Sequence, residues 1–237
     1  MNMLELNDIH VYIDTFYIIQ GVSLVVPKGE VTVLLGRNGA GKTTTMKSIL
    51  GIYPPKQGSI KFNDKSIDHL PTHKISRRGI GYVPDTRRIF GSLSVEQNLK
   101  VSMRKKSKES SFEDRLAYIY DLFPDLKRLK DQRAKTVSGG QQQMLAISRA
   151  LVNENQLLLI DEPTEGLSPK YAKSVMDTIK QIKEHMTILL VEQNFRAATS
   201  VGDTFYIMDD GKITHSGNIS ELINNNEIIT KYLGLKI

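Results

Sequence analysis

The feature that most constrains this chain is Gly36-Arg37-Asn38-Gly39-Ala40-Gly41-Lys42-Thr43, which matches the spacing G-x-x-x-x-G-K-[ST] of a phosphate-binding loop. The β-type run Val31-Thr32-Val33-Leu34-Leu35 precedes it, and Thr44 to Leu50 reads as a helix after it. Strand, glycine-rich corner and helix start together define the chemistry. The glycines let the backbone curl so that successive N–H groups point inward around phosphate oxygens. The helix N-terminus adds its partial positive charge at the same spot. In such a corner Lys42 reaches the β- and γ-phosphates, the Thr43 hydroxyl ligates Mg²⁺, and Thr44 completes the nucleotide-binding run. Glycine-rich corners that bind nothing also exist, but here every fixed position is present in the required context.

Composition narrows the setting. Hydrophobic content of 40% and charged content of 24% over 237 residues fit a globular α/β protein. No apolar run approaches the ~18–20 residues of a membrane span, and the opening Met1 to Asp8 lacks the basic start and apolar core of a signal peptide. Cysteine is absent, which removes disulfides and thiolate metal sites and agrees with a cytoplasmic location. The net charge of +6 is concentrated nowhere decisive. The densest basic run, Arg104-Lys105-Lys106-Ser107-Lys108, reads as a solvated loop without the aromatic interleaving of a base-stacking surface, so nucleic acid is not an expected partner.

Along the chain, residues 3–35 read as an antiparallel or mixed sheet leading into the loop, with Leu4, Leu6, Ile9 and Val11 in partial alternation. A further strand is expected from Gly58 to Asn63 and another around Gly79 to Pro84. From about Asp85 to Val152 the pattern turns helical, with Phe112, Leu116, Ile119, Tyr120 and Phe123 at helical spacing and Pro124 as a separator. Residues 153–192 return to α/β pattern, Asp209-Asp210-Gly211 marks a hairpin, and Ser220 to Leu233 reads as one helix. An α/β nucleotide-binding core with a helical insertion accounts for this order.

Two further motifs carry chemistry. Leu157-Leu158-Leu159-Ile160-Asp161-Glu162 is an apolar strand ending in two carboxylates. In a parallel sheet it emerges at the edge that also holds the phosphate loop. Asp161 is then placed to hold Mg²⁺ through water, and Glu162 to orient or deprotonate an attacking water. By itself the run would read as a solvated acidic turn; beside a phosphate loop it does not. Val137-Ser138-Gly139-Gly140-Gln141 opens a second helix, which Ser138 can cap while the glycines expose N–H donors to an anion.

Phosphate loop, capped Ser-Gly-Gly and acidic strand end, in that order, make the chain similar over essentially its full length to the ATP-binding-cassette ATPases. Val137–Gln141 resembles that family's signature, with Val where Leu is usual, and Gly166-Leu167-Ser168-Pro169 sits where its D-loop lies. The resemblance implies one nucleotide-binding domain over residues 1–237. Its phosphate-loop α/β core (1–85 and 153–237) carries an antiparallel β subdomain and an inserted α-helical subdomain (about 86–152). It implies ATP and Mg²⁺ as cofactors, with Lys42, Glu162 and Gln193 in catalysis and Thr43, Asp85 and Asp161 near the metal. It also implies a head-to-tail dimer, homo- or heteromeric, in which Ser138, Gly139, Gly140 and Gln141 close over the nucleotide of the facing subunit.

Three departures from the common pattern refine the likeness. Asp85 stands where most members carry glutamine, Gln193 where the switch histidine is usual, and Ile13 where an aromatic stacks on adenine, which leaves the adjacent Tyr12 as candidate. Asp85 with Arg87-Arg88-Ile89-Phe90, and Val191-Glu192-Gln193-Asn194, resemble the ATPases of branched-chain amino acid importers, the LivF type. That likeness implies a peripheral subunit on the cytoplasmic face of the membrane. It would be docked on integral-membrane permeases, served by an extracytoplasmic binding protein, and power uptake of branched-chain or related amino acids. Urea or amide importers and soluble cassette ATPases outside transport are the alternatives. A phosphate-loop kinase or GTPase would have no use for the signature, and no N-K-x-D guanine motif is present. Two finer expectations follow: Phe90, Leu93 and Val95 line a permease-binding groove, and Asp85 contacts Mg²⁺ rather than pairing with Arg87 or Arg88.

Overall fold

The computed structural model describes residues 1–104 and 111–233, so most of the basic run after Arg104 and the final four residues lie outside it. Alternation sets up the first sheet. Strand β1 (Asn2–Ile13) turns Leu4, Leu6, Ile9 and Val11 inward. The register slips between Leu6 and Ile9, where Asp8 takes a left-handed φ of 47° and kinks the strand. Strand β2 (Phe16–Pro27) pairs antiparallel with it. Strand β3 (Val31–Leu35) does not continue this sheet, contrary to the grouping read from residues 3–35. All five of its residues are buried, the mark of a strand covered on both faces. Helix α1 (Lys42–Ile49) follows the loop directly, with Gly41 in a left-handed conformation at its cap. Strands β4 (Gln57–Phe62) and β5 (Lys65–Ser66) complete an antiparallel sheet of order β2-β1-β4-β5. The short helix α2 (Thr72–Arg77) then leads into β6 (Ile80–Val83).

The helical segment is built by repeated capping. Helix α3 (Val95–Ser102) starts on a reciprocal Ser94–Gln97 box and α4 (Phe112–Leu122) on a Ser111–Asp114 box. Pro124 is the first residue of α5 (Pro124–Arg128) rather than a plain break, a position where its missing N–H costs nothing. Helix α6 (Gly139–Leu151) is capped by Ser138 and packs on both α3 and β6.

The remaining chain alternates strictly: β7 (Leu157–Asp161), α7 (Pro169–Lys183), β8 (Thr187–Glu192) and α8 (Phe195–Val201). Strands β9 (Thr204–Asp209) and β10 (Lys212–Asn218) then form the expected hairpin, with Asp210 and Gly211 both at positive φ as a two-residue primed turn requires. The tail is two helices, α9 (Ile219–Ile223) and α10 (Asn226–Leu233), not one. Asn225 interrupts it by accepting the Ile228 N–H through its side chain, an asparagine's usual way of restarting a helix.

Six strands make the second sheet, in the order β10-β9-β3-β8-β7-β6, parallel except for the β9–β10 hairpin. Its two faces head two cores. Val31, Val33, Leu158, Ile160 and Leu190 pack toward the long helices. Leu34, Leu157, Leu159, Leu189 and Val191 pack toward the antiparallel sheet and α1. The hydrophobic runs at 31–35, 157–161 and 187–192 are therefore adjacent buried strands, and their C-terminal ends share one edge.

A fully buried asparagine holds the entry to the helical segment. Asn98 accepts the Phe90 N–H at 2.8 Å and donates to the carbonyls of Phe90 and Ser94, each at 2.9 Å. Asn98→Ala would orphan these backbone groups and is expected to cost about 2–4 kcal/mol in urea unfolding. A loss below about 1 kcal/mol would show that water replaces the side chain.

Candidate active site

Lys42 leaves the phosphate loop buried at 4% exposure, and its ammonium donates to the carbonyls of Gly36 at 2.9 Å and Arg37 at 3.1 Å. It also pairs with Glu162 Oε1 at 3.0 Å, across from β3 to the end of β7. One residue along, Thr43 Oγ1 donates to Asp161 Oδ1 at 3.2 Å, while the Tyr82 hydroxyl at the end of β6 donates to Asp161 Oδ2 at 3.3 Å. The structure thus brings together Lys42, Thr43, Asp161 and Glu162, delivered by neighbouring strand ends. Burial pushes the Asp161 carboxyl up to about 6, with the charges of Asp85 and Glu162 adding to it and the bonds from Thr43 and Tyr82 opposing it. Burial, followed by the charge of Asp161, holds the Tyr82 phenol protonated well above its ordinary range.

Glu162 carries backbone strain. Its φ is +44°, a left-handed conformation that a non-glycine residue takes only when its surroundings impose it. Its N–H donates to Val191 O at 2.9 Å, which fixes the turn against the end of β8. Beyond it a cleft of about 260 Å³ is lined by Glu162, Thr164, Glu165, Glu192, Gln193 and Asn194, so Gln193 faces the same space as Glu162. Like-charge repulsion from Glu162 raises the Glu165 carboxyl.

The fit of a divalent cation follows from the donor set. Thr43 and Asp161 offer hard oxygen ligands, and Asp85 lies close enough for its charge to act on Asp161. Among the described residues no group of three or more His, Cys, Asp or Glu converges to hold an ion alone. That suits Mg²⁺, which takes one or two protein oxygens and completes its shell with waters and phosphate oxygens. Asp85 itself is exposed; its Oδ1 accepts the Thr86 N–H at 2.7 Å, and it forms no ion pair with Arg87 or Arg88.

The arginines turn the other way. Arg87 Nε donates to Gln143 Oε1 at 3.2 Å, which lays its guanidinium on Gly139. Arg149 donates to the carbonyl of Arg88 and lies 4.7 Å over the Phe90 ring. Both Arg87 and Arg88 have positive φ, so the loop after Asp85 is held strained against α6. Sequence reasoning grouped this pair with a family likeness and missed the anchorage, for which Gln143 and Arg149 on the facing helix leave no spacing signal. Of the three expected groove residues, Phe90 is half exposed and Leu93 partly so, but Val95, the first residue of α3, is fully buried and faces the core instead.

Ser138 and Gly139 stand exposed at the start of α6. Ser138 Oγ accepts the Gln141 N–H at 3.3 Å, and Gln141 Oε1 accepts the Ser138 N–H at 2.9 Å. Gly140 is needed for close approach, because a Cβ there would lie 2.3 Å from the Tyr171 ring. Among the described residues none of these bonds reaches the phosphate loop of the same chain. Tyr12 is exposed on the β1–β2 hairpin and stacks on Tyr17, ring centroids 4.6 Å apart and planes within 9°. Tyr17, with no motif to announce it, was missed. So was Gly211, whose N–H donates to Ala40 O at 3.0 Å and braces the phosphate loop from the β9–β10 turn.

The raised Asp161 carboxyl has a consequence for stability. Between the ordinary carboxylate range near 4 and about 6 the folded chain keeps a proton that the unfolded chain has lost. Stability therefore falls as pH rises through that window and stays lower above it. Asp161→Asn is expected to stabilise the ligand-free chain by about 1–3 kcal/mol near neutral pH and by little near pH 4. Thermal melts at both pH values check this; equal shifts at the two would refute the charge argument.

Residues 19–165 match the family model described as ABC transporter. Over 98% of this chain and all of the relative, 37% of residues are identical to the high-affinity branched-chain amino acid transport ATP-binding protein BraG of Pseudomonas aeruginosa. The probable branched-chain amino acid transport ATP-binding protein LivF of Archaeoglobus fulgidus is 36% identical over 92% of this chain and 93% of its own. The lipopolysaccharide export system ATP-binding protein LptB of Escherichia coli K12 is 36% identical over 92% and 91%. A crystal structure of a nucleotide-free ATP-binding cassette from an ABC transporter superposes with a TM-score of 0.87 at 25% identity, covering all of both chains.

Proposed function

The chain belongs to the ABC transporter family, and from that membership we propose that it is the ATP-hydrolysing subunit of an importer for branched-chain or related amino acids. The observation that carries the ATPase assignment is the convergence of Lys42, Thr43, Asp161 and Glu162 on one sheet edge. The importer assignment is supported by near full-length likeness to BraG and LivF, together with Asp85, Arg87-Arg88-Ile89-Phe90 and Val191–Asn194. LptB, an ATP-binding protein of a lipopolysaccharide export system, is similar to nearly the same extent, which supports a reading in which the permease partner sets the direction and the cargo.

In this reading the backbone N–H groups from Gly36 to Thr44 cradle the phosphates, with Arg37, Asn38, Gly39, Ala40 and Gly41 forming the curl. Lys42 exchanges the loop carbonyls and Glu162 for phosphate oxygens. That exchange releases the Glu162 carboxylate to take a proton from the attacking water, with Gln193 positioning it across the cleft. Thr43 and Asp161, with Asp85 in support, would hold Mg²⁺, which when bound would supply Lewis-acid charge. Tyr12, stacked on Tyr17, offers a face for adenine. Ser138, Gly139, Gly140 and Gln141 close over the nucleotide of a second ATPase subunit, homo- or heteromeric. Residues 86–152 act as the helical subdomain between core segments 1–85 and 153–237 and dock on permeases at the cytoplasmic face of the membrane. No helix among the described residues is long and apolar enough to cross a membrane, in keeping with a peripheral subunit.

Glu162→Gln is expected to bind ATP normally, to lose ~10²–10⁴ in turnover, and to accumulate an ATP-bound dimer. Steady-state hydrolysis at the wild-type rate would remove Glu162 from that role. The cargo assignment is tested in vesicles containing the chain and its permeases. Binding protein loaded with leucine, isoleucine or valine should stimulate ATP hydrolysis, and stimulation by urea or amides alone would transfer the system to those substrates.

A further inference from the structure

Glu192 is a buried carboxylate to which none of the roles above assigns work. It ends β8 beside Gln193, is 2% exposed, and faces the cleft that Glu162 also lines. No cation is paired with it among the described residues. Three donors meet it instead. Thr164 Oγ1 donates to Oε1 at 2.8 Å and Thr164 N–H to the same oxygen at 3.2 Å, while Asn194 N–H donates to Oε2 at 3.2 Å. Burial raises its pKa, and these bonds work against that rise.

The partners lie on the two segments that flank the reacting space. Thr164 is two residues past Glu162, in the turn that holds Glu162 at positive φ. Asn194 follows Gln193 and caps α8 through its side chain, which accepts the Ala197 N–H at 3.2 Å. One carboxylate thus ties the exit of β7 to the exit of β8, two residues from Glu162 on one side and one residue from Gln193 on the other. A core hydrophobe could fill the same volume, but only an acceptor with two oxygens can meet donors from both segments.

We propose that Glu192 is a positioning residue, which fixes the separation of Glu162 and Gln193 by clamping Thr164 and Asn194. Its carboxylate touches neither substrate nor metal. It acts through the turn that orients Glu162 and through the loop that presents Gln193. This rests on the roles proposed for those two residues, which Glu162→Gln decides separately.

The variants remove the clamp without removing volume. Glu192→Gln turns one oxygen into an amide that cannot accept from an N–H. Thr164→Val deletes only the hydroxyl, and Thr164→Ser restores it. The inference expects kcat to fall about 10- to 100-fold in Glu192→Gln and in Thr164→Val, as for misplaced but intact catalytic groups. The KM for MgATP should stay within about threefold, because the phosphate loop is untouched. The double variant should be no slower than the slower single variant, since both cut the same link. Thr164→Ser should hydrolyse ATP at close to the wild-type rate.

A wild-type kcat in Glu192→Gln, or losses that multiply in the double variant, would overturn the clamp. Should Glu192→Gln fail to fold, the comparison of Thr164→Val with Thr164→Ser decides, and equal kcat in those two variants also overturns it. If Glu162→Gln hydrolyses ATP normally, the reading of the site fails with it.

Discussion

The site depends on one constraint: strands β3, β8 and β7 lie side by side, parallel, and buried on both faces. Parallel strands bring all their C-terminal ends to one edge, where the chain leaves the apolar layer together. The edge therefore receives Lys42 after β3, Asp161 and Glu162 where β7 ends, and Glu192 and Gln193 where β8 ends. The Lys42–Glu162 pair and the Thr43–Asp161 bond are consequences of that adjacency. Neither pair need contribute much net stability, since burying charge costs about as much as pairing recovers. In the mechanism proposed above, a triphosphate would replace Glu162 as the partner of Lys42.

The same edge concentrates unfavourable terms. Asp161, Glu165 and Glu192 are each raised above their ordinary pKa values, and the charge of Glu162 adds to the rise in all three. Glu162 and Arg87 also hold left-handed conformations, each worth of order 1–3 kcal/mol. The hydrophobic faces of the sheet carry this cost, with Leu158, Leu159, Leu189 and Leu190 fully enclosed. Strain and like charge thus gather at this one edge.

What the sequence revealed follows from which signals are local. The phosphate loop, the acidic strand end and the capped Ser-Gly-Gly are each contiguous, so residue type and spacing located them. The β9–β10 hairpin was legible for the same reason, since Asp210 and Gly211 declare their own turn. The assignment of β3 to the wrong sheet arose because a strand's own pattern does not name its neighbour. Val95 looked like a surface residue because one apolar side chain after a loop carries no orientation. The Ser94–Gln97 box that starts α3 was readable and would have set that orientation. The Glu192–Thr164 and Arg87–Gln143 contacts span 28 and 56 positions. They join residues with no shared spacing and emerge only from the packing of separate elements.

Helix α6 gives the arrangement its mechanical sense. Its start at Ser138 is exposed, while Arg149 near its end grips the Arg88 carbonyl and covers Phe90. The two lie eleven positions apart, about 16 Å of helix. Between them Gln143 holds Arg87, so the loop leaving Asp85 is fastened to the same helix at two points. A displacement of Asp85 must therefore move Arg87 and Arg88 against α6, or move α6 with them. With nine buried residues along it, α6 is too well packed to bend, so the second response costs less. The half-exposed Phe90, clasped by Asn98 of α3 and covered by Arg149 of α6, is fixed to the helical segment and not to the sheet.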